Sequence, residues 1–517
     1  MKPNPRHVLF HPAALRKQRT KPERLGTAAL VASGLTLAFF FSTANAATRT
    51  WDGEHSTGAS ASRDNWTNNN NWDNNAQPLA TDDVVFGSAF SSGTSIDLNG
   101  NKTVNSLTIN TTTAFSLDGG DDLTLTSGQL IRNDVTGTEG DHLITANLIL
   151  GANGAFNING SGLLTISGVI QDGANLFNLT KSGTGTLVLS GGAETYNGDT
   201  IVNGGILRLG AANQLADGTG FGHLVVNNGA TFDLAGFGET INGLSGSGTV
   251  DSNFNSSTTL TLGGGNASGN FSGTITDTLG TLSLTKIGDG TQILSGQNTY
   301  AGATNVNVGT LLANNGSGSA TGTGAINIAS GAIFGGNGTS TPTGSNGINV
   351  SGVLAPGSGV GQIGNLTLNL GSTTGSVTMA GGSSFQFELE AAGVTIASFG
   401  TSDLLTIAGA AANDFAFINN NIDFQNTGEI GFYKLFDTSS NNADTWTGLT
   451  FDGTTGEITS GLTVSNLASG LTGTLLVGTA ANGGTTGDIY LHVVPEPSAA
   501  LLGGVGVFFL LRRRDRK

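Results

Sequence analysis

Two stretches of the chain carry one frame, and that frame limits what the chain can fold into. They read LTKSGTGTLVLSGGAETYNGDTIVNGGILRLG (Leu179–Gly210) and LTKIGDGTQILSGQNTYAGATNVNVGTLLAN (Leu284–Asn314). The shared parts are Leu-Thr-Lys, Gly-x-Gly-Thr, Leu-Ser-Gly, Thr-Tyr-x-Gly and Val-Asn, with one extra residue near Glu194 in the first copy. TLVLS and TQILS alternate, so each reads as a short strand with one buried face. Gly-x-Gly and Ser-Gly read as turns that require positive φ. VNNGATFDLAG (Val226–Gly236) and IASGAIFGGNG (Ile328–Gly338) repeat the theme of strand, corner and strand. One such unit cannot bury its apolar face alone, whereas stacked units can. This texture over most of the chain predicts a solenoid rather than a sandwich.

Composition closes other routes. Glycine accounts for 83 of 517 residues but keeps no period of three, which excludes collagen. Apolar residues make up 37%, too many for a charged disordered chain. Helix formers such as Lys, Arg and Glu are scarce. The expected fold is all-β: a right-handed parallel β-helix with an N-terminal aromatic cap, a C-terminal β cap and hydrophobic helices at both termini. With about 22 residues per coil, Thr103–Phe387 would give roughly 13 coils and a rod of ~60 Å.

The formal net charge of −16 understates the acidity of the body. Seven basic residues precede Gly26 and five follow Leu511. Arg49, Arg63, Lys102, Arg132, Lys181, Arg208, Lys286 and Lys434 alone remain against all but three of the 36 acids. Such a surface repels nucleic acid and anionic lipid. Cysteine is absent, which excludes disulfides and thiolate chemistry.

Both ends read as address labels. A basic region runs to Arg24, a 14-residue apolar run, Ala28–Phe41, follows, and Ala44 and Ala46 stand at the small-residue positions before a signal-peptide cut. The run is shorter than the roughly 20 residues needed to span a bilayer. At the C-terminus Val494-Pro495-Glu496-Pro497 precedes an apolar run, Ala499–Leu511, and a cluster made by Arg512, Arg513, Arg514 and Arg516. The arginines favour the cytoplasmic side, leaving the body outside. The prolines leave Glu496 on an extended backbone open to an enzyme.

This tail resembles the PEP-CTERM sorting signal of Gram-negative bacteria. The resemblance implies an exosortase-type membrane peptidase as partner, removal of the tail, and delivery to the surface or surrounding matrix after passage through the export machinery. The frame of the two repeats resembles the autotransporter-associated beta strand repeat, from which Gln292 departs, standing where the frame carries leucine. Thr50–Asn75 and Ile348–Leu368 are also similar to parts of such proteins. The alternating ten-residue strands of an autotransporter's membrane barrel are not expected in this chain. The expected organisation is a signal peptide (1–46), a Trp-rich cap (47–100), a β-helix (101–390) with repeats at 179–210 and 284–314, last coils and a β cap (391–493), and the sorting signal (494–517).

Three functions fit. The first is an exported structural or adhesive rod, held to the membrane only through its termini and needing no cofactor, metal or catalytic residue, with exopolysaccharide as the candidate external partner. The second is a polysaccharide-degrading β-helix enzyme. It needs facing carboxylates and a base, and its candidates are Asp82, Asp83, Asp118, Asp121 and Asp122 with Lys181, Arg208 and Lys286. Acids in strand-flanking turns and a lysine recurring at one repeat position both read better as structure. His55, His142, His223 and His492 show no ligand spacing. The third is a glycan-binding module in which Trp51, Trp66 and Trp72 stack on sugars. A cap over the first coil is the competing reading of those rings, because an open solenoid end must be blocked.

Overall fold

The structure is a computed structural model. It describes residues 46–496 except 53–63, 88–93, 134–138, 344–346, 358–361, 371–374, 391, 394, 396, 409–414, 426–427 and 439–445. Both hydrophobic termini, with Ala44, Pro497 and the four arginines, lie outside the described residues, as does His55.

The chain is a parallel β-solenoid. Short strands with alternating burial wind through three faces in a fixed order. On the first face Thr48–Trp51 pairs with Asp83–Phe86 and then Lys102–Ile109, and the ladder continues through Leu179–Ser182, Thr200–Val202 and Thr291–Leu294 to Leu462–Ser465. The second face stacks Thr94–Asp97, Phe115–Asp118, His142–Ile144, Leu163–Ile166 and Thr186–Leu189 in parallel register. On the third, Glu239–Ile241 lies against Thr249–Leu262, followed by Thr274–Lys286, Thr304–Val306, Ile326–Ile328 and Ile348–Val350. Long strands such as Thr249–Leu262 run across a corner, with register shifts where they bend. Among the described residues there is no α-helix, only three single-turn 3₁₀ segments, and no helix long and apolar enough to cross a membrane.

Inward positions make continuous columns. On the second face Leu164, Leu187, Leu207 and Phe232 follow one another and are all fully buried. His142 occupies this column beside Leu164, with its ring 4.8 Å from Phe115. Desolvation is the largest cause that pushes its pKa down to about 4, with Arg132 adding to it, so it is a neutral core residue. Outward positions form polar ladders: Asn349 donates to Asn327 and Asn327 to Asn305, each at 2.9 Å.

The repeats do not mark whole coils. Leu179–Ser182 stands on the first face, while Leu284 and Lys286 stand on the third. From Leu179 the first face is revisited at Thr200, Leu224, Leu244 and Gly269, and two further faces are passed before Leu284. The frame is therefore a local device that works on any face. In both copies the lysine points inward and its ammonium caps turn carbonyls. Lys181 Nζ donates to Ser182, Gly183 and Gly204, and Lys286 Nζ to Ile287, Gly288 and Val308. The tyrosine closes a corner: Tyr196 meets Thr200 at 2.5 Å and Tyr300 meets Thr304 at 2.6 Å between hydroxyl oxygens. Thr304 gives its own proton to the Thr321 carbonyl, so Tyr300 is the donor of its pair.

From Thr339 a separate six-stranded sheet begins. It runs in parallel through Thr339–Ser340, Asn365–Asn369 and Leu404–Ala408 to Gly431–Asp437. Ile489–Pro495 then adds antiparallel, and Leu471–Val477 adds to it. Trp446 packs on Phe415, Phe417 and Phe436, and its indole N–H donates to the Gly487 carbonyl at 2.6 Å.

Candidate functional site

The acids singled out in the sequence are spent on turns and ladders. Asp82 is buried and accepts from the Ala47 and Leu79 amides and the Arg49 guanidinium. Asp83 accepts from Asn105 and Ser106 one coil on. Asp118 accepts from Ser95, Ser116 and Thr145, Asp121 from the Gly100 amide, and Asp122 from Asn101 and Asn147. Arg208 pairs with Asp233 at 2.9 Å. His223 accepts from the Gly243 amide, and His492 stacks on Phe432 with ring centroids 4.1 Å apart. Lys181 and Lys286 sit in their carbonyl cages, where burial pushes each pKa down to about 8.

The three tryptophans, read from the sequence as an aromatic cap or as a glycan contact, are packed inside the structure. Trp51, Trp66 and Trp72 are each no more than 2% exposed. Trp72 meets Trp66 and Trp51 edge to face at 4.7 and 5.1 Å, and all three pack on Phe86. The Trp72 indole N–H donates to the Trp66 carbonyl. Rings that fill space between one another have no free face to offer a pyranose.

Sequence reasoning missed the groove on the outside of the first face. By register, Ile293, Leu312, Gly335 and Ala355 follow one another outward there. Gly335 leaves a notch, and an open groove of about 350 Å³ forms over it, lined by Ile293, Leu312, Ile333 and Pro356 and ending at Glu388 and Asp403. Asp403 accepts from the Gly364 and Glu388 amides at 2.8 and 2.7 Å, and its own amide donates back to the Glu388 carbonyl. Burial pushes Asp403 up to about 7 against those hydrogen bonds. Two carboxylates thus meet at one groove, but no Lys, Arg or His lines it. Among the described residues, no group of three or more His, Asp or Glu side chains could hold a metal ion. The groove can admit an apolar group beside its two carboxylates.

A buried acidic column on the third face also escaped the sequence reading. Glu239 accepts from the Gln214 and Leu215 amides, and Glu194 accepts from the Ile170 amide. The extra residue near Glu194 in the first repeat was the available signal. Burial pushes Glu239 up to about 8 and Glu194 well above the usual carboxylate range. Between pH 4.5 and about 8 the folded chain therefore keeps a proton on Glu239 that the unfolded chain releases. Stability falls as pH rises through that window, by at most about 1.4 kcal/mol per unit. Glu239→Gln keeps an acceptor oxygen and removes this titration. Denaturation midpoints at the two ends of the window should then move closer together than in the wild type.

Two comparisons bear on this architecture. Residues 179–209 and 284–313 match the Passenger-associated-transport-repeat model. Over 277 residues, 52% of this chain, the sequence is 32% identical to an adhesin BmaC autotransporter of Brucella suis biovar 1 (strain 1330). The matched region spans only 7% of that protein's length.

Proposed function

We propose that this chain is an exported surface or matrix protein: a non-enzymatic, adhesive β-solenoid sorted through its C-terminal tail. The observation that carries the reading is the use of the repeat frame. Its lysines, tyrosines and turns all serve the rod's interior, and the family and relative matched by that region are a passenger-associated repeat and an adhesin. The buried tryptophans serve as packing at the first coils, so exopolysaccharide, if it is the partner, binds elsewhere on the rod.

Sorting through Val494, Pro495, Glu496 and Pro497 is part of the proposal. Val494 and Pro495 end the strand Ile489–Pro495, opposite Thr472 and Leu471, and the Glu496 amide donates to the Gly470 carbonyl at 2.8 Å. The first three residues of the motif thus join the end sheet. In this reading a membrane peptidase cuts at the motif, and the arginines beyond hold the tail until the cut. Replacing Pro495, Glu496 and Pro497 together with alanine should leave full-length chain in the membrane fraction. Unchanged processing and release in that variant would remove the sorting half of the proposal.

A further inference from the structure

At the C-terminal end of the rod, Lys434 lies between two carboxylates. Its Nζ is 2.7 Å from Asp488 Oδ2 and 3.1 Å from Asp437 Oδ1. Asp488 is fully buried and Lys434 is 9% exposed. Both oxygens of Asp488 are fixed. Oδ1 accepts from the Thr438 amide at 2.9 Å and the Thr438 hydroxyl at 3.3 Å, and Oδ2 accepts from the Tyr490 hydroxyl at 3.2 Å. Phe399 and Tyr490 flank the site, the Phe399 ring centroid being 5.5 Å from the ammonium. Burial opposes the lysine's charge, but hydrogen bonds to Asp488 and Asp437 more than offset it, so the group starts as an ammonium.

Three properties of this cluster go beyond an ion pair. A nitrogen 2.7 Å from a carboxylate oxygen also lies close to the carbon that bears it, and reaction needs only a short further approach. A second carboxylate stands beside the nitrogen to carry protons. The amide and hydroxyl of Thr438 are aimed at the oxygen on which charge would develop.

We propose that Lys434 and Asp488 condense to an intramolecular isopeptide bond, with Asp437 as the proton carrier. The ammonium passes a proton to Asp437, and the freed Nζ attacks Cγ of Asp488. Thr438 holds the charge building on Oδ1. Asp437 delivers that proton, and then a second one from Nζ, to Oδ2, which departs as water. An ammonium and a carboxylate become an amide and one water molecule; Asp437 ends as it began, and no oxidant, metal or other reactant takes part. Holding the partners in place is worth effective concentrations of about 10⁵–10⁸ M, which offsets the unfavourable condensation. The product also removes two charges whose burial is costly.

The bond would tie the strand Gly431–Asp437 to the start of Ile489–Pro495, the middle strand of the antiparallel end sheet. Any pull on the chain at residue 495 reaches this strand first. The chemistry is independent of the adhesive reading; only its use as a clamp rests on that reading.

The test is the intact mass of the purified full-length or mature chain, followed by digestion and tandem mass spectrometry. The expected mass is one water short of the sequence, with Lys434 and Asp488 in one branched peptide. Lys434→Arg keeps the charge and should restore full mass, and Asp437→Asn should leave most chains unlinked. Full mass in the wild type, with the two residues in separate peptides, overturns the proposal whatever adhesion assays show. A complete link in the Asp437→Asn variant overturns the role given to Asp437.

Discussion

Replacing Arg132 with methionine should destabilise the N-terminal coils by about 3–5 kcal/mol, the range for breaking a buried ion pair by removing one partner. Arg132 ends the strand Asp122–Arg132, with its side chain 1% exposed. It donates to the Asn159 and Gly162 carbonyls at 3.0 and 2.6 Å and pairs with Glu139 at 3.2 Å. Glu139 also accepts from the Ser161 and Gly162 amides, so the pair joins two consecutive coils. Methionine fills similar volume but leaves a buried carboxylate and two carbonyls without their cation. Arg132→Lys, which keeps charge but not the fork, should lie between. Adding Glu139→Gln to the methionine variant should recover part of the loss, since the stranded charge is then gone. Because solenoid coils unfold as coupled neighbours rather than as one unit, the informative measurement is amide exchange along Asn157–Leu163. Unchanged protection there would refute the assignment.

The second large effect is expected at Gln292, the residue that departs from the repeat frame. Gln292→Leu, which restores the frame, should cost about 2–6 kcal/mol, because it strands two buried backbone groups worth about 1–3 kcal/mol each. The strand Leu244–Gly246 meets Gly269–Phe271 at a single residue pair, Gly246 with Phe271. Leu244 is therefore left without a rung on that side. Gln292 supplies it from two coils away: its Oε1 accepts from the Leu244 amide at 3.2 Å, and its Nε2 donates to the Leu244 carbonyl at 2.9 Å. The path lies over Gly269, where a β-carbon would come within 2.5 Å of the Gln292 oxygen. The side-chain amide stands in for a missing peptide group. Loss of exchange protection at the Leu244 amide in Gln292→Leu would confirm this. Wild-type stability and protection would contradict it.

These two sites show what the sequence carries and what it conceals. The alternation in TLVLS and TQILS announces inward columns, and Leu187 and Leu294 are fully buried as that pattern requires. The structural reading of Lys181 and Lys286 follows from their recurrence, and their carbonyl cages explain why lysine recurs there. Gln292 is visible in the sequence only as an anomaly, since its partner is set by how the coil between them pairs. The groove at Asp403 is concealed for a similar reason: it depends on Gly335 falling outward and on a corner that brings Gly364 and Glu388 to one carboxylate. The tryptophans are legible as a cluster, but how they pack is not, because Trp72 lies between two single-turn 3₁₀ segments that have no periodicity to read.

The rotated placement of the two repeats has a consequence for how such a chain can grow. The second copy begins four coils and two faces after the first, so the block between them is not a whole number of turns. Duplicating it in a gene would lengthen the molecule and also swing everything downstream around the axis, presenting the groove at Gly335 toward a different side. Growth by this module thus redistributes surfaces around the circumference, and a lineage could change what its outer side displays without altering a single exposed residue.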